Sequence, residues 1–366
     1  MRKSGRESGM ELLRIISMLM IVIYHFHCHV LQYADSNVAY QVIQIPLHIA
    51  VINFILISGY FGIRLSAKSL CKFVTKVGFY ALFILLIAAI FFRLKDGIPP
   101  IGGDIIWEHC FFISHTELWF VTAYFSLLIT SPFLNNLLER QNKKQRILFL
   151  IVFFILQIWI GNLSRAVSFG GKTLSNFIFI YSLGWTIKEY NIVERVKGLW
   201  LLLVYLMLNA VVVVAFMQFN GSKLGDVIWL ASFPYNSPFC ILSALLFFGL
   251  FTKMRFHNKG VNYIGASAFA VYLIQEDTIV GGHLYSYVAQ LHNTYSVLPL
   301  EGILFLFATA VFAACIAIDK VTLPIQRLLS HLGINLAHRA YAKFMRLNRR
   351  SLPSENPTDK KHSIKS

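Results

Sequence analysis

Residues 12–31 read LLRIISMLMIVIYHFHCHVL, an apolar run broken by Arg14 near its start and by His25, His27 and His29 near its end. A hydrocarbon core about 30 Å thick is crossed by a helix of roughly 20 apolar residues, so this stretch reads as a membrane-spanning helix. The composition of the whole chain agrees. Of 366 residues, 57% are hydrophobic and 14% charged, against about 45–50% and about 25% in soluble domains. That excess is too large for one soluble core to bury. A net charge of +16 with pI 9.7 raises nucleic acid as a partner, yet 15% aromatics and a mean hydropathy of +0.62 do not fit a soluble nucleic-acid binder. Five cysteines, odd in number and sparse, do not make a disulfide scaffold, and the apolar content excludes disorder. The expected class is an all-α, polytopic membrane bundle.

Ten such runs are found: Leu12–Leu31, Ile45–Ile63, Phe73–Phe92, Leu118–Leu134, Ile147–Ile160, Leu174–Ile187, Leu199–Phe216, Phe239–Phe251, Val261–Val280 and Leu300–Ile318. The stretch Val227–Phe233, bounded by Pro234 and Pro238, is too short to span and reads as a re-entrant or interfacial piece. Charge placement orients the set, because cytoplasmic loops collect Lys and Arg. With the N-terminus inside, 28 of the 33 basic residues fall on inner segments and 5 on outer loops. Both termini are therefore expected in the cytoplasm. The first helix carries histidines and is followed by no small-x-small cleavage site, so it is expected to be retained. Residues 1–323 form the expected membrane domain and 324–366 a basic cytoplasmic tail, disordered towards its end from Ser351 onward. Such a tail lies on the anionic inner leaflet, each basic residue adding about 1 kcal/mol.

Ionisable groups inside the hydrocarbon are costly and mark function. Arg14 and His25 are eleven apart, about 20° past three full turns and about 16.5 Å along the axis. They share one face, with Arg14 at the cytoplasmic edge, His25 near mid-membrane and His29 extending the stripe outwards. His25 can accept a proton near neutral pH, and Arg14 binds phosphate or carboxylate through its planar fork. The pair suits a phosphate-bearing donor entering from inside and an acceptor approaching from the other side. Past Ser58, Gly59 and Tyr60, the residues Arg64, Lys68, Lys72 and Lys76 follow, the last three on one helical face. Two readings stand for them: the phosphates of a nucleotide-like donor, or lipid headgroups. Glu117 beside Trp119 opens the fourth run as a second acid/base candidate at the outer interface, and Tyr272 and Glu276 lie four apart near the outer end of the ninth. No phosphate loop, dinucleotide fingerprint or H-E-x-x-H occurs. His25 and His27 point about 200° apart on a helix, which argues against a three-histidine metal site, and no metal is expected.

Taken together, these segments resemble the acyltransferase-3 family, integral membrane enzymes that typically have ten helices. Arg14 and His25 match its Arg, ten residues, His pattern; Ser58-Gly59-Tyr60 its S-G-Y; Leu118-Trp119-Phe120 its L-W-F; and Ala268-Phe269, Tyr272-Leu273 and Gln275 its late S-F-x-x-Y-L-x-H. The similarity covers about residues 8 to 322. Ala268 and Gln275 depart from the pattern, where Ser and His are common. The resemblance implies transfer of an acyl group, usually acetyl, from cytoplasmic acetyl-CoA to a hydroxyl of a cell-surface or exported polysaccharide or glycolipid. It implies a bacterial plasma-membrane enzyme of exopolysaccharide, capsule or O-antigen O-acetylation. Arg14 would help hold the CoA end, and His25 would act as general base or carry the acyl group transiently. Trp119, Tyr272, Ser58 and Tyr60 are the substrate-side candidates. With no fused extracytoplasmic domain in the chain, it is expected to act alone or with separate polysaccharide-biosynthesis proteins. The rival class is a lipid-linked sugar or polysaccharide transporter, which favours internal repeats and paired interrupted helices; no repeat is seen, and Pro234 and Pro238 leave one interrupted segment. A third class is a non-catalytic membrane subunit of a polysaccharide synthase.

Overall fold

A computed structural model describes residues 7–31, 38–96, 101–114, 118–160 and 169–351, and among them every regular element is a helix. The first, α1 (Ser8–Phe26), runs on through a π-helical turn, His27–Leu31. Then come α2 (Val38–Leu47) and α3 (Ile49–Phe61), nearly continuous past Pro46, followed by α4 (Ala67–Asp96) and the short α5 (Gly103–Cys110). Next are α6 (Trp119–Arg140), α7 (Lys143–Phe154, continued by a π-helical stretch Ile155–Ile160), α8 (Leu174–Glu189) and α9 (Gly198–Phe219). The chain ends with α10 (Lys223–Ser232), α11 (Pro238–Thr252), α12 (Lys259–Gly265), α13 (Ala268–Gln275), α14 (Thr278–His292) and the long α15 (Val297–Ser351).

Among the described residues, six helical stretches are long and apolar enough to cross a membrane: Ser8–Leu31, Val38–Phe61, Ala67–Phe91, Trp119–Arg140, Gly198–Phe219 and Val297–Ala340. The expected runs at 147–160, 174–187 and 239–251 are helical but shorter. The ninth expected span, 261–280, is not one helix. It is divided among α12, α13 and the start of α14, because polar side chains compete for backbone N–H groups within it. Asn258 caps α12 by accepting from Val261 N at 3.0 Å. Asp277 caps α14 by accepting from Ile279 N at 2.9 Å and Val280 N at 3.4 Å. The piece at 227–233 falls in α10, whose ten residues are too few to span. The expected domain boundary at 323/324 lies inside α15, which passes through Pro324 without ending. The tail from 352 onward lies outside the described residues.

The bundle carries its apolar side chains on both surfaces. Leu199, Leu206, Met207, Val214 and Met217 on α9, with Leu82, Leu86 and Phe91 on α4, are exposed, as expected where lipid rather than water is the solvent. Inside, one buried cluster joins Leu13, Ile52, Leu127, Phe177, Tyr181 and Phe248, and a second joins Val22, Phe26, Tyr80, Val271, Leu300 and Leu304. Because α1 contributes to both, its polar face is held at the centre of the molecule.

Close packing of α3 on α8 anchors this core. A Cβ added at Gly59 would lie 2.0 Å from the Tyr181 carbonyl oxygen, and one at Gly184 would lie 2.4 Å from that of Leu56. Small residues let helices approach this closely in membranes. The Tyr181 hydroxyl locks the end of α3, accepting from Ile63 N at 2.9 Å and donating to Asn135 Oδ1 at 2.6 Å. Gly59→Ala is therefore expected to destabilise the bundle by about 1–3 kcal/mol through overpacking. A lowered Tm of the detergent-solubilised protein, followed by thermal denaturation, checks this.

Candidate active site

The break between α13 and α14 turns Glu276 back towards α1. Its Oε2 lies 2.7 Å from His25 Nδ1 and its Oε1 lies 3.1 Å from His29 Nε2. The Tyr285 hydroxyl donates to Oε2 at 2.7 Å. His25 and His29 are one turn apart on the same face, so one carboxylate reaches both rings. His29 also stacks on Tyr285, with ring centroids 4.6 Å apart. The Gln275 side-chain amide lies 2.6 Å from His25 Nδ1 and 3.3 Å from Glu276 Oε2. An ionised carboxylate can only accept, so Nδ1–H of His25 donates to Glu276, and the Gln275 amide then turns its otherwise unpartnered oxygen towards the same N–H. That sets the tautomer and leaves Nε2, which has no hydrogen-bond partner among the described residues, with its lone pair available.

His25, His29 and Glu276 lie within 4.8 Å of one another, close enough to share a metal ion. Direct hydrogen bonds already join these atoms. His27 points elsewhere, with Nδ1 2.9 Å from the Ile23 carbonyl oxygen and Nε2 3.0 Å from Glu301 Oε1. The helical separation of His25 from His27 holds.

The remaining sequence candidates divide between the two ends of the bundle. Tyr272 is buried beside the cluster, its ring centroid 6.4 Å from that of His25. Trp119 begins α6 and packs 5.5 Å from Tyr235, with Lys172 Nζ 5.2 Å above its ring. Glu117 lies outside the described residues. Arg14, half-buried at the opposite end of α1, pairs with Glu11 at 2.5 Å. Ser58 and Tyr60 are also at that far end: Ser58 donates to the Phe54 carbonyl oxygen at 2.9 Å, and Tyr60 packs on Phe248 with Lys188 5.3 Å from its ring. These contacts make the S-G-Y segment a helix-packing element, apart from the His25 cluster.

Lys68, Lys72 and Lys76 line a cavity of ≈ 370 Å³ between α4 and α15, together with Thr75, Arg327 and His331. Arg64 is not among its lining residues. Lys76 pairs with Asp319 at 3.2 Å, and Asp319 also accepts from the Tyr80 hydroxyl at 2.7 Å. The cavity lies at the Arg14 end, since Lys320 donates to the Tyr263 carbonyl oxygen at 2.7 Å and Ser8, at the start of α1, donates to the neighbouring Asn262 at 2.9 Å. Arg327 and His331 escaped the sequence reading because they sit on a helix assigned to the tail. Tyr285 escaped it, and Gln275 entered only as a departure from the late motif, because its partner His25 lies 250 residues away. The adjacent polar residues Gln275, Glu276 and Asp277 inside an apolar run were the available signal.

A family model described as an acyltransferase domain, that of the acyltransferase-3 family, matches residues 7–319. The chain belongs to the acyltransferase-3 family. No curated protein and no solved structure matches it significantly. Within this family member, the matched region takes in α1 to α14 and the first part of α15, so the whole His25–Glu276 cluster lies inside it. It is a multi-pass membrane acyltransferase.

A second carboxylate–imidazole pair supports the α13–α14 turn. His109 of α5 holds Asp277 Oδ2 at 2.9 Å through Nε2 and the Ile105 carbonyl oxygen at 2.7 Å through Nδ1. Burial works against the charged ring, but the hydrogen bond and charge of Asp277 outweigh it and raise the His109 pKa. Because the folded pKa lies above the unfolded value of about 6.5, this stabilisation is full below pH about 6.5 and is lost as pH rises through the raised pKa. Asp277→Asn is expected to flatten that part of the pH–stability profile, measured as Tm against pH.

Proposed function

We propose that this acyltransferase moves an acyl group, acetyl in the simplest case, from cytoplasmic acyl-CoA to a hydroxyl of a cell-surface or exported polysaccharide or glycolipid. In this reading the protein sits in the cell membrane with both termini in the cytoplasm and crosses it about ten times, the ninth crossing being the broken segment that carries Glu276. The observation that carries the proposal is the hydrogen bond between His25 Nδ1 and Glu276, which leaves Nε2 as a base at the end of α1 remote from Arg14.

Acyl-CoA, when bound, supplies an acyl group activated as a thioester. The basic cavity fits its phosphates, because its charged lining residues are all cationic or titrate to cations: Lys68, Lys72, Lys76, Arg327 and His331. Arg14 lies on the α1 face that leads from that end to His25, about 16.5 Å along the axis. There it guides the donor's anionic end. At the other end, His25 Nε2 accepts the proton of the acceptor hydroxyl as its oxygen bonds to the thioester carbonyl carbon, and the imidazolium returns that proton to the CoA sulfur as the C–S bond breaks and the thiol leaves. Glu276 meanwhile balances the imidazolium charge at Nδ1, the role of the carboxylate in serine-hydrolase triads. His29 and Tyr285 keep that carboxylate in place. Tyr272 closes one side of the imidazole.

The proposal is tested by alkali-labile acetate on the surface glycan of cells carrying wild type or variants. His25→Ala is expected to lower it by about 10²-fold or more, as for loss of a general base, and Glu276→Gln to lower it substantially through loss of ring orientation. Unchanged acetate at normal expression of His25→Ala would overturn the assignment, and disappearance of the glycan itself would point to export. In vesicles, Lys72→Ala and Arg327→Ala are each expected to raise KM for acetyl-CoA with kcat nearly unchanged, the pattern of lost uniform binding.

A further inference from the structure

At the same end of the bundle as His25, a separate cavity of ≈ 310 Å³ opens between α2 and the segments around 170–172 and 229–235. Tyr24, the neighbour of His25 in sequence, lines it and stands edge-on to His48, with ring centroids 4.6 Å apart. Its walls combine aromatic rings, Trp229 and Tyr235, with the amides of Gln41 and Gln44. Flat aromatic faces beside amide donors and acceptors are the chemistry that recognises a sugar, whose ring has apolar C–H faces and a polar hydroxyl rim. His48 is 8% exposed and packs its ring against Tyr24, Phe233 and Tyr235, and its Nδ1 has no hydrogen-bond partner among the described residues. An unpartnered ring nitrogen in the wall of the cavity is a polar group left for a ligand to satisfy.

The charge of the lining is one-sided. Lys172 is its one residue that is always charged, and among the described residues it has no acidic partner, only the face of Trp119. We propose that this cavity binds the acceptor glycan and that Lys172 selects an acceptor bearing an anionic group, a carboxylate or a phosphate, next to the sugar unit held by His48 and Tyr235. The inference rests on the acyltransfer reading for the meaning of the bound glycan, but its binding step stands by itself. A cation on an exposed rim contributes through attraction of opposite charge, so it acts on recognition and leaves the proton transfer at His25 untouched.

The test is equilibrium binding to the full-length protein in lipid nanodiscs. Surface glycan from expressing cells is deacylated, cut to tritiated oligosaccharides and separated by anion exchange into neutral and anionic fractions. The anionic fraction is expected to bind wild type at least about tenfold tighter than the neutral one, in keeping with one well-placed charge pair. Lys172→Met should lose that preference, and Lys172→Arg should keep it. Carboxyl reduction of the anionic fraction, against treatment with phosphatase, tells which anion is read: the one whose removal abolishes the preference. Equal binding of the two fractions to wild type, or binding unchanged by Lys172→Met, would overturn the proposal, as would failure of the anionic fraction to bind. Transfer of label from acetyl-CoA is scored separately on the same preparation. Anionic glycan that is bound selectively yet never acylated would defeat the acyltransfer reading and leave this one standing.

Discussion

The carboxylate of Glu276 is the point on which the molecule's organisation turns. Donors from two helices reach it: His25 and His29 from α1 and its π-helical continuation, and Tyr285 from α14. A charge in the bilayer interior is tolerated only when partnered, so each helix bearing a donor is held in register with the turn that presents the acceptor. That turn exists because Asp277 caps α14 and ends the apolar run one residue after Glu276. A continuous helix would have swept these side chains round its axis at about 100° per residue. Breaking it directs Glu276 at α1 and Asp277 at His109, and the two neighbouring carboxylates brace the turn from opposite sides.

The same constraint separates the work of the two ends. Around Arg14 and α15 the lining groups are cations suited to phosphate, with Lys76 balanced by a buried Asp319. Around Tyr24 they are aromatic rings and amides with a single lysine. Helix α1 joins the two and packs in both halves of the core, with Arg14 at one end of a face and His25 at the other, separated by the buried apolar Met18, Ile21 and Val22. Gln275 gives this family member its own character. Where the late motif commonly carries His, an amide that does not titrate sits 2.6 Å from His25. The imidazole of His25 is then governed by Glu276, with no second histidine at that position to share its proton.

Much of the fold was legible in sequence because lipid solvent demands long apolar runs. The first four expected spans and the seventh and tenth correspond to the six long apolar helical stretches. The expected ninth span is broken into shorter helices because the apolar average of its window hides Gln275, Glu276 and Asp277, while the backbone uses Asp277 as a cap. At the site, periodicity alone brought Arg14, His25 and His29 to one face and kept His27 away from it. It also paired Tyr272 with Glu276. Helical spacing carries no information on which helix faces which, so Ser58 and Tyr60 were grouped with residues from the other end, and Arg327 and His331 were left in a tail.

What the sequence by itself determined is therefore the membrane class, most of the helices, and the one-face placement of Arg14 and His25, since each follows from local composition and a fixed 3.6-residue turn. The tertiary structure alone decided that Glu276 closes on His25, that Lys72 shares a cavity with Arg327, and that His48 packs edge-on against Tyr24 in the wall of another. Those contacts join residues far apart in the chain, and their geometry is set by how broken and continuous helices pack, which no local pattern encodes.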